Sequence, residues 1–198
     1  MDTPITKQQI RQNIIALRNQ LPANLHESYS GAIAERLSQL PAYQQASGVL
    51  GYMNFGAEFA SRIWVQKVLA DGKRLLLPKV NQQTQQLDLF WVHDLENQLA
   101  SGLWGIPEPI IECCEQLGDL NKVEFVLLPG VAFTRDGSRL GYGGGFYDKL
   151  IARMTHRPTL VAAAFSLQIV EHLPQEPTDV KVYWLVSEQS SIHCSHSE

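Results

Sequence analysis

One segment, residues 123–154, reads VEFVLLPGVAFTRDGSRLGYGGGFYDKLIARM and contains three patterns in succession. Residues 123–129 are too apolar for an exposed edge and predict a buried strand. Residues 141–145 hold four glycines in five positions, and helical spacing follows over residues 146–154. A strand, a glycine-rich loop and a helix in this order are typical of a phosphate-binding site.

The alternation of strands and helices continues on both sides of this segment. Apolar spacing predicts helices over residues 6–21, 25–39 and 61–70, and strands over residues 48–53, 74–78, 87–92, 159–165 and 180–186. Residues 102–109 read as a loop. These elements predict a single layered α/β domain over residues 1–188, with a largely parallel central sheet flanked by helices. The polar residues 189–198 are expected to form a frayed tail.

Composition limits the classes of function. The chain has 198 residues, of which 44% are hydrophobic and 18% charged, as is typical of one globular domain. Its formal charge of -4 does not supply the basic field with which proteins bind nucleic acids, so no nucleic-acid partner is expected. Cys113, Cys114 and Cys194 show neither a CxxC pair nor metal-ligand spacing, which argues against a zinc site or a disulfide framework.

The sequence also predicts where the protein works. Its first residues, MDTPITKQQIRQNII, lack the uninterrupted apolar stretch of a signal peptide. No window approaches the roughly 18 apolar residues that a membrane helix needs. We therefore expect a cytoplasmic protein that does not bind membranes, and a monomer rather than an obligate oligomer.

The glycine-rich loop predicts the chemistry. Glycines at this density are tolerated where the backbone takes positive φ or approaches a ligand closely, and N–H groups turned inward before a helix make an anion cradle. Arg139 could bind phosphate oxygens through two parallel hydrogen bonds, and Asp148 offers a hard oxygen ligand for Mg²⁺. A simple tight turn is the alternative. The loop is not a GxxxxGK[ST] motif, and Phe146 occupies the position that would close a GxGxxG motif.

Residues 129–148 as a whole resemble the signature of 5-formyltetrahydrofolate cyclo-ligases, PGxAFxxxGxRLGxGxGxYD. The resemblance implies that 5-formyltetrahydrofolate and ATP are converted into 5,10-methenyltetrahydrofolate, ADP and phosphate. In that reaction the formyl oxygen is phosphorylated and the folate N10 attacks the activated carbon. Many members have Lys and Tyr where this chain has Gly144 and Phe146, so backbone N–H groups or another cation must replace that lysine.

The resemblance also implies a nucleotide site. The opening helix, with Lys7, Arg11 and Arg18, is similar to the family's Lys-x-x-x-Arg element, which helps to hold ATP phosphates. A solvated basic helix face is the alternative for these residues. The expected ATP contacts are Lys7, Arg11, Arg139, Gly141, Tyr142, Gly143, Gly144, Gly145, Phe146 and Asp148. Asp148 is also expected to bind Mg²⁺, and Arg139 to act in catalysis by neutralising phosphate oxygens.

The implied folate site comes from three other parts of the chain. Met53 ends a predicted strand and Glu58 follows it, which is similar to the family's strand and downstream glutamate; without the family, Glu58 would read as a surface residue. Its carboxylate could accept two hydrogen bonds from a 2-amino-pyrimidinone edge. Trp104 could stack on the pterin or instead cover the core. Tyr147 is expected to act in catalysis by orienting the formyl group or the folate, or else to be a core tyrosine.

Two questions stay open from the sequence. Residues 163–170 and 173–174 are similar to the family's Phe-x-x-Gln and Leu-Pro elements, but the match loosens afterwards and gives Asp179 no definite role. Because one architecture hosts many reactions, a non-catalytic nucleotide- or folate-binding protein is one alternative function. A sugar-phosphate isomerase or CoA-transferase-like enzyme is the other.

Overall fold

The computed structural model describes residues 6–194. Within this range the helices are α1 (Lys7–Asn19), α2 (Ala23–Gln39), α3 (Pro41–Gln45), α4 (Ser61–Ala70) and α5 (Phe146–Ala152). Thr6 caps α1 with a capping box, because its hydroxyl accepts from the Gln9 N–H while the Gln9 side chain accepts from the Thr6 N–H. The predicted helices are confirmed, and α3 is added to them. No helix within residues 6–194 is both long and apolar enough to cross a bilayer.

The strands build one main sheet and two small hairpins. They are β1 (Gly48–Leu50), β2 (Arg74–Asn81), β3 (Gln86–Val92), β4 (Leu99–Ser101), β5 (Pro107–Pro109), β6 (Phe125–Leu128), β7 (Ala132–Phe133), β8 (Arg139–Leu140), β9 (Thr159–Ala163), β10 (Trp184–Val186) and β11 (Ser191–His193). Within residues 6–194 the main sheet has the order β11-β10-β9-β6-β1-β2-β3. Its five inner strands run parallel, while β3 and β11 pair antiparallel at the edges. The predicted layered α/β fold with a largely parallel sheet is confirmed.

Helices cover both faces of the sheet. Successive strand residues point to opposite faces, so neighbours in β1 enter different cores. Val49 lies in one buried cluster with Ile33 of α2 and Trp64 of α4. Leu50 lies in a second buried cluster with Leu150 of α5. This double covering explains why the inner strands are apolar along their whole length.

Two segments that were expected to be a loop and a tail form strands instead. Residues 107–109, expected in a loop, form β5 and pair with β4. Residues 191–193, expected in the frayed tail, form β11 and pair with β10, where the His193 ring packs 4.8 Å from the Trp184 ring. A short edge strand is polar because one of its sides faces solvent, so its composition resembles that of a tail. Residues 195–198, the end of the expected tail, lie outside the described residues, as do residues 1–5.

The strand connections determine where a ligand can bind. From β1 the chain continues to β2 on one side, whereas from β6 it continues to β9 on the other. Ligand sites of open parallel sheets lie beyond the carboxyl ends of the strands at such a switch point. The carboxyl end of β1 leads to Tyr52, Met53 and Glu58, and that of β6 leads to Pro129 and the glycine-rich loop.

Candidate active site

A cavity of about 1180 Å³ opens at the carboxyl ends of β1 and β6. This volume exceeds the roughly 300–1,000 Å³ of most ligand sites, so it leaves room for two ligands. The residues that the sequence assigned to nucleotide, metal and folate all line it, namely Lys7, Arg11, Met53, Glu58, Trp104, Arg139 and residues 141–148. The fold therefore brings the predicted residues together, while the role of each stays a prediction.

The glycine-rich loop forms part of the cavity wall. Gly143, with φ of 107°, and Gly145, with φ of 63°, take left-handed conformations that strain any residue with a Cβ. Gly145 precedes α5 and supplies no side-chain cap, so N–H groups of the first helical turn are available to a ligand. Arg11 donates from Nε to the Gly141 carbonyl at 2.8 Å. The loop is therefore a preformed backbone surface that α1 holds at its start.

The two departures from the family signature lie in contact. A Cβ added to Gly144 would come within 2.7 Å of the Phe146 ring, so the ring occupies the space that a side chain at position 144 would need. Lys149 also lines the cavity, and its Nζ lies 5.9 Å from the centroid of the same ring. Phe146 thus suits a glycine at position 144, and Lys149 is a cation beside this pair.

Arg139 and Asp148 form an ion pair at the base of the loop. Arg139 Nη2 donates to Asp148 Oδ1 at 2.7 Å, and Arg139 Nη1 donates to the Pro129 carbonyl at 3.2 Å. The Val180 N–H donates to the same Asp148 oxygen at 3.2 Å. Only 5% of the Arg139 side chain is exposed, against 24% of the Asp148 side chain. Arg139 therefore holds Asp148 in place, and Asp148 is the more accessible member of the pair.

Lys7 connects α1 to the segment before β10. Its Nζ lies 2.9 Å from Asp179 Oδ2 and 3.0 Å from Glu176 Oε1. Burial alone would lower the pKa of Lys7, but hydrogen bonds and charge from both carboxylates raise it above its ordinary value. Burial alone would raise the pKa of Asp179, but the hydrogen bond from Lys7 helps to lower it below its ordinary value. Lys7 is thus charged and paired, and Asp179 lies beside the predicted nucleotide contacts.

Glu58 is a buried carboxylate in the cavity wall. Its side chain accepts from the Phe55 N–H at 2.7 Å and from the Tyr142 hydroxyl at 2.8 Å, and the residue is 4% exposed. Burial raises the pKa of Glu58 above its ordinary value, while these two hydrogen bonds and the charge of Arg18 act against that rise. Glu58 is therefore not the surface glutamate that its sequence neighbours would suggest.

Two buried charged residues near the cavity escaped the site prediction. Arg18 is 2% exposed, and its Nη2 donates to the Tyr142 hydroxyl at 2.8 Å. Its position seven residues after Arg11 placed it near the basic stripe of α1 but did not reveal this partner. Glu108 accepts from the Val80 N–H at 3.3 Å and pairs with Lys79 at 3.4 Å. Glu108 lies between two prolines in the sequence, and this context does not indicate that it is buried.

Trp104 and Tyr147 complete the predicted folate contacts. Trp104 is 62% exposed and takes a left-handed φ of 58°, which is unusual for a residue with a bulky side chain. It lines the cavity and is not among the described residues that pack on the hydrophobic clusters, while its role in stacking stays a prediction. Tyr147 lines the cavity and also packs against the core. Burial, and then the charge of Glu58, raise the pKa of Tyr147, so its hydroxyl remains protonated.

Comparison with known proteins places these features in a family. The model of the 5-formyltetrahydrofolate cyclo-ligase family matches residues 4–188. The chain belongs to this family. A curated relative, the 5-formyltetrahydrofolate cyclo-ligase of Haemophilus influenzae, is 29% identical over 178 residues, which cover 89% of this chain and 95% of the relative.

Solved structures show the cyclo-ligase fold over nearly the whole chain. The NMR structure of a 5,10-methenyltetrahydrofolate synthetase from Aquifex aeolicus is 30% identical and superposes with a TM-score of 0.84, covering 98% of this chain and 95% of that one. A 5,10-methenyltetrahydrofolate synthetase from Mycoplasma pneumoniae is 20% identical, with a TM-score of 0.73 and coverage of 93% and 99%, and shows the shared fold alone.

The cavity contains groups that suit both a nucleotide and Mg²⁺. Lys7, Arg11 and Lys149 are cations in its wall, and the loop contributes backbone N–H groups. Asp148 and Asp179 offer hard oxygen ligands, although no group of three or more His, Cys, Asp or Glu within residues 6–194 is arranged as a metal cage. Mg²⁺ needs no such cage, since it commonly binds one or two carboxylates, substrate phosphates and waters. The residues present therefore fit both groups.

Proposed function

We propose that this chain converts 5-formyltetrahydrofolate and ATP into 5,10-methenyltetrahydrofolate, ADP and phosphate. Membership of the cyclo-ligase family and the names of the curated relatives support this reaction. The observation that carries the assignment to this cavity is that a glycine-rich loop and the buried carboxylate of Glu58 share one wall. Both features suit the reaction, because it brings nucleotide phosphates and a pterin ring together in one site.

The proposed reaction solves a leaving-group problem. The formyl oxygen belongs to an amide and leaves poorly as it stands. In the first step the γ-phosphoryl group moves from ATP to this oxygen, which breaks the P–O bond to ADP and forms a new P–O bond. The folate N10 then attacks the activated carbon and loses its proton, and the C–O bond breaks as phosphate leaves. The protein's task is positioning and charge neutralisation.

On the nucleotide side, cations and backbone N–H groups would neutralise the phosphate oxygens. Lys7 and Arg11 line the cavity from α1, and Arg139 lies beneath the loop. Residues 141–146 would present N–H groups to the phosphates, with the left-handed glycines allowing the close approach. Lys149 supplies a further charge beside Gly144, where many family members have a lysine.

Asp148 would bind Mg²⁺ together with the phosphates. Its Oδ1 already accepts from Arg139 and Val180, so Oδ2 is the oxygen that we assign to the metal. Asp179 precedes Val180 in the chain. Its carboxylate can also bind Mg²⁺ once Lys7 turns from that carboxylate to a phosphate. When bound, Mg²⁺ would neutralise charge that develops on the phosphate oxygens.

On the folate side, Glu58 would accept two hydrogen bonds from the 2-amino-pyrimidinone edge of the pterin. Its position in the cavity wall and its burial support this role. Trp104 would stack on the ring from the exposed rim. Met53, which is buried in the segment after β1, would pack against the ligand, and the protonated Tyr147 hydroxyl would orient the formyl oxygen.

The test is the growth of the methenyltetrahydrofolate absorbance band. Purified protein is mixed with 5-formyltetrahydrofolate, Mg²⁺ and ATP, and parallel samples lack each component in turn. Growth that requires ATP and Mg²⁺, with one phosphate released per product, is the expected result. A flat trace from folded protein that still binds ATP would indicate a binding protein, and product formation without ATP would exclude the proposed mechanism.

A further inference from the structure

A hydrogen-bonded chain of three side chains links α1, the glycine-rich loop and the segment between β1 and α4. Arg18 Nη2 lies 2.8 Å from the Tyr142 hydroxyl oxygen, which lies 2.8 Å from Glu58 Oε1. Arg18 and Glu58 are both buried, while Tyr142 is 42% exposed and lines the cavity. A buried cation and a buried carboxylate are therefore connected through a single hydroxyl of the loop.

The direction of the hydrogen bonds is fixed by chemistry. A guanidinium donates and cannot accept, so Arg18 donates to the Tyr142 oxygen. The hydroxyl has one proton, and this proton is directed to Glu58. Burial, and then the charge of Glu58, raise the pKa of Tyr142, so the hydroxyl stays protonated. Tyr142 is therefore a fixed donor to the carboxylate.

This donor restricts how Glu58 can turn. The Phe55 N–H holds Oε2 and the Tyr142 hydroxyl holds Oε1, so a rotation of the carboxylate would break at least one of the two bonds. Each carboxylate oxygen can accept a second hydrogen bond. Because Glu58 lines the cavity, its free acceptor positions remain for a ligand with two neighbouring donors.

The burial of Arg18 indicates that this arrangement is a specific feature of the fold. Its Nε and Nη1 atoms are buried without a hydrogen-bond partner among the described residues, so its hydrogen bond to Tyr142 is its principal polar contact. Burying a guanidinium with unmet donors is costly. The Arg18 guanidinium also lies 6.0 Å from the centroid of the Tyr142 ring. The burial of the Arg18 guanidinium is thus unfavourable in itself, and it places Arg18 where it holds Tyr142.

We propose that Tyr142, held by Arg18, is a positioning residue that orients the Glu58 carboxylate for the two-donor edge of the folate's pterin ring. This role rests on the proposed cyclo-ligase function and differs from the sequence prediction, which assigned Tyr142 to ATP. The same residue ties the phosphate loop to the folate carboxylate, because its backbone lies in the loop and its hydroxyl on Glu58.

The test compares Tyr142→Phe with the wild-type protein. The substitution removes only the hydroxyl, and Tyr29→Phe makes the same change on α2 at a residue that does not line the cavity. We expect the KM for 5-formyltetrahydrofolate to rise roughly tenfold, as for the loss of a hydrogen bond to a charged group, while the KM for ATP stays unchanged. An increase in the KM for ATP alone would return Tyr142 to the nucleotide site and overturn the proposal.

The pH profile separates positioning from a merely structural role. Glu58 must be ionised to accept two donors, and the Tyr142 bond lowers the pKa of Glu58 against the effect of burial. Tyr142→Phe should therefore move the acid limb of kcat/KM for 5-formyltetrahydrofolate to higher pH. The other groups that face Glu58 and must be unchanged in the comparison are Arg18, His26, Tyr52 and Tyr147. A lower melting temperature without a shift of this limb would contradict positioning.

A double-mutant cycle provides the second measurement. In a Glu58→Gln background the carboxylate is absent, so Tyr142→Phe should add little to the rise in KM. Full additivity would contradict the proposal. Calorimetric binding of 5-formyltetrahydrofolate to the same four proteins keeps the proposed function separate. Wild-type protein that binds the folate but forms no product would overturn the function alone, whereas an active wild type with an unaffected Tyr142→Phe variant would overturn the positioning role alone.

Discussion

The two sides of the cavity hold their charged residues in different ways. On the nucleotide side, Lys7 is partly exposed and is paired with Glu176 and Asp179, which a phosphate can replace as its partners. On the folate side, Glu58 and Arg18 are buried and joined through Tyr142. Exposed ion pairs cost little to break, whereas a buried charge that loses its partner is strongly destabilising. The nucleotide side is thus arranged to exchange partners, and the folate side is preorganised.

The largest loss of turnover is expected from Arg139→Ala on the nucleotide side. The change removes a positive charge beneath the loop and releases the Asp148 carboxylate. We expect kcat/KM for ATP to fall roughly 100- to 1,000-fold, the usual effect of removing one group that stabilises developing charge. Initial rates at varied ATP measure this effect.

The fold of Arg139→Ala should persist, because Asp148 still accepts from the Val180 N–H and is partly open to solvent. Circular dichroism and thermal melting check this point. Arg62→Ala is the matched control, since it removes a more exposed arginine of α4 that does not line the cavity. Unchanged turnover in folded Arg139→Ala would remove Arg139 from the proposed mechanism.

Glu58→Gln tests the preorganised side. The amide group lacks the charge and places a donor against either the Phe55 N–H or the Tyr142 hydroxyl. We expect the KM for 5-formyltetrahydrofolate to rise roughly 10- to 100-fold, as for the loss of hydrogen bonds to a charged group. The KM for ATP should stay nearly constant. Loss of ATP affinity without loss of folate affinity would reverse the assignment of the two sides.

The fold follows closely from local signals in the sequence. Residues 61–70 form α4 at the predicted bounds, because apolar spacing and Gly72 mark both its face and its end. The two-residue strands β7 and β8 within the signature escaped prediction, since such short strands carry no periodicity. The polar strand β11 escaped for a different reason, because an edge strand is defined by its pairing partner.

The candidate site was predictable where a residue acts through its own chemistry. The glycines of the loop and Asp148 could be found because a motif places them together. The burial of Arg18 could not, because its partner lies 124 residues away in the chain. The cytoplasmic location, the monomeric state and the absence of nucleic-acid and membrane partners stay predictions.

A moderate effect is expected at the rim of the folate side. Trp104→Ala removes the proposed stacking surface, which is worth about 0.5–1.5 kcal/mol for an aromatic pair and corresponds to a few-fold rise in the KM for 5-formyltetrahydrofolate. Because the side chain is mostly exposed, the melting temperature should change little. Trp104→Phe is the matched variant and should restore part of the affinity. Equal KM values for all three proteins would contradict stacking.

The smallest effect is expected from Glu176→Gln, which tests whether partners on the nucleotide side are exchangeable. Glu176 is 65% exposed, and Lys7 keeps its bond to Asp179 when this partner is lost. Such pairs are worth about 0–1 kcal/mol, so stability should hardly change. Because the Glu176 carboxylate no longer competes with phosphate for Lys7, the KM for ATP should fall slightly. This difference should shrink at higher salt, which screens the Lys7–Glu176 pair. A loss of ATP use as large as that of Arg139→Ala would instead make Glu176 part of the binding site, and the nucleotide side would then be as preorganised as the folate side.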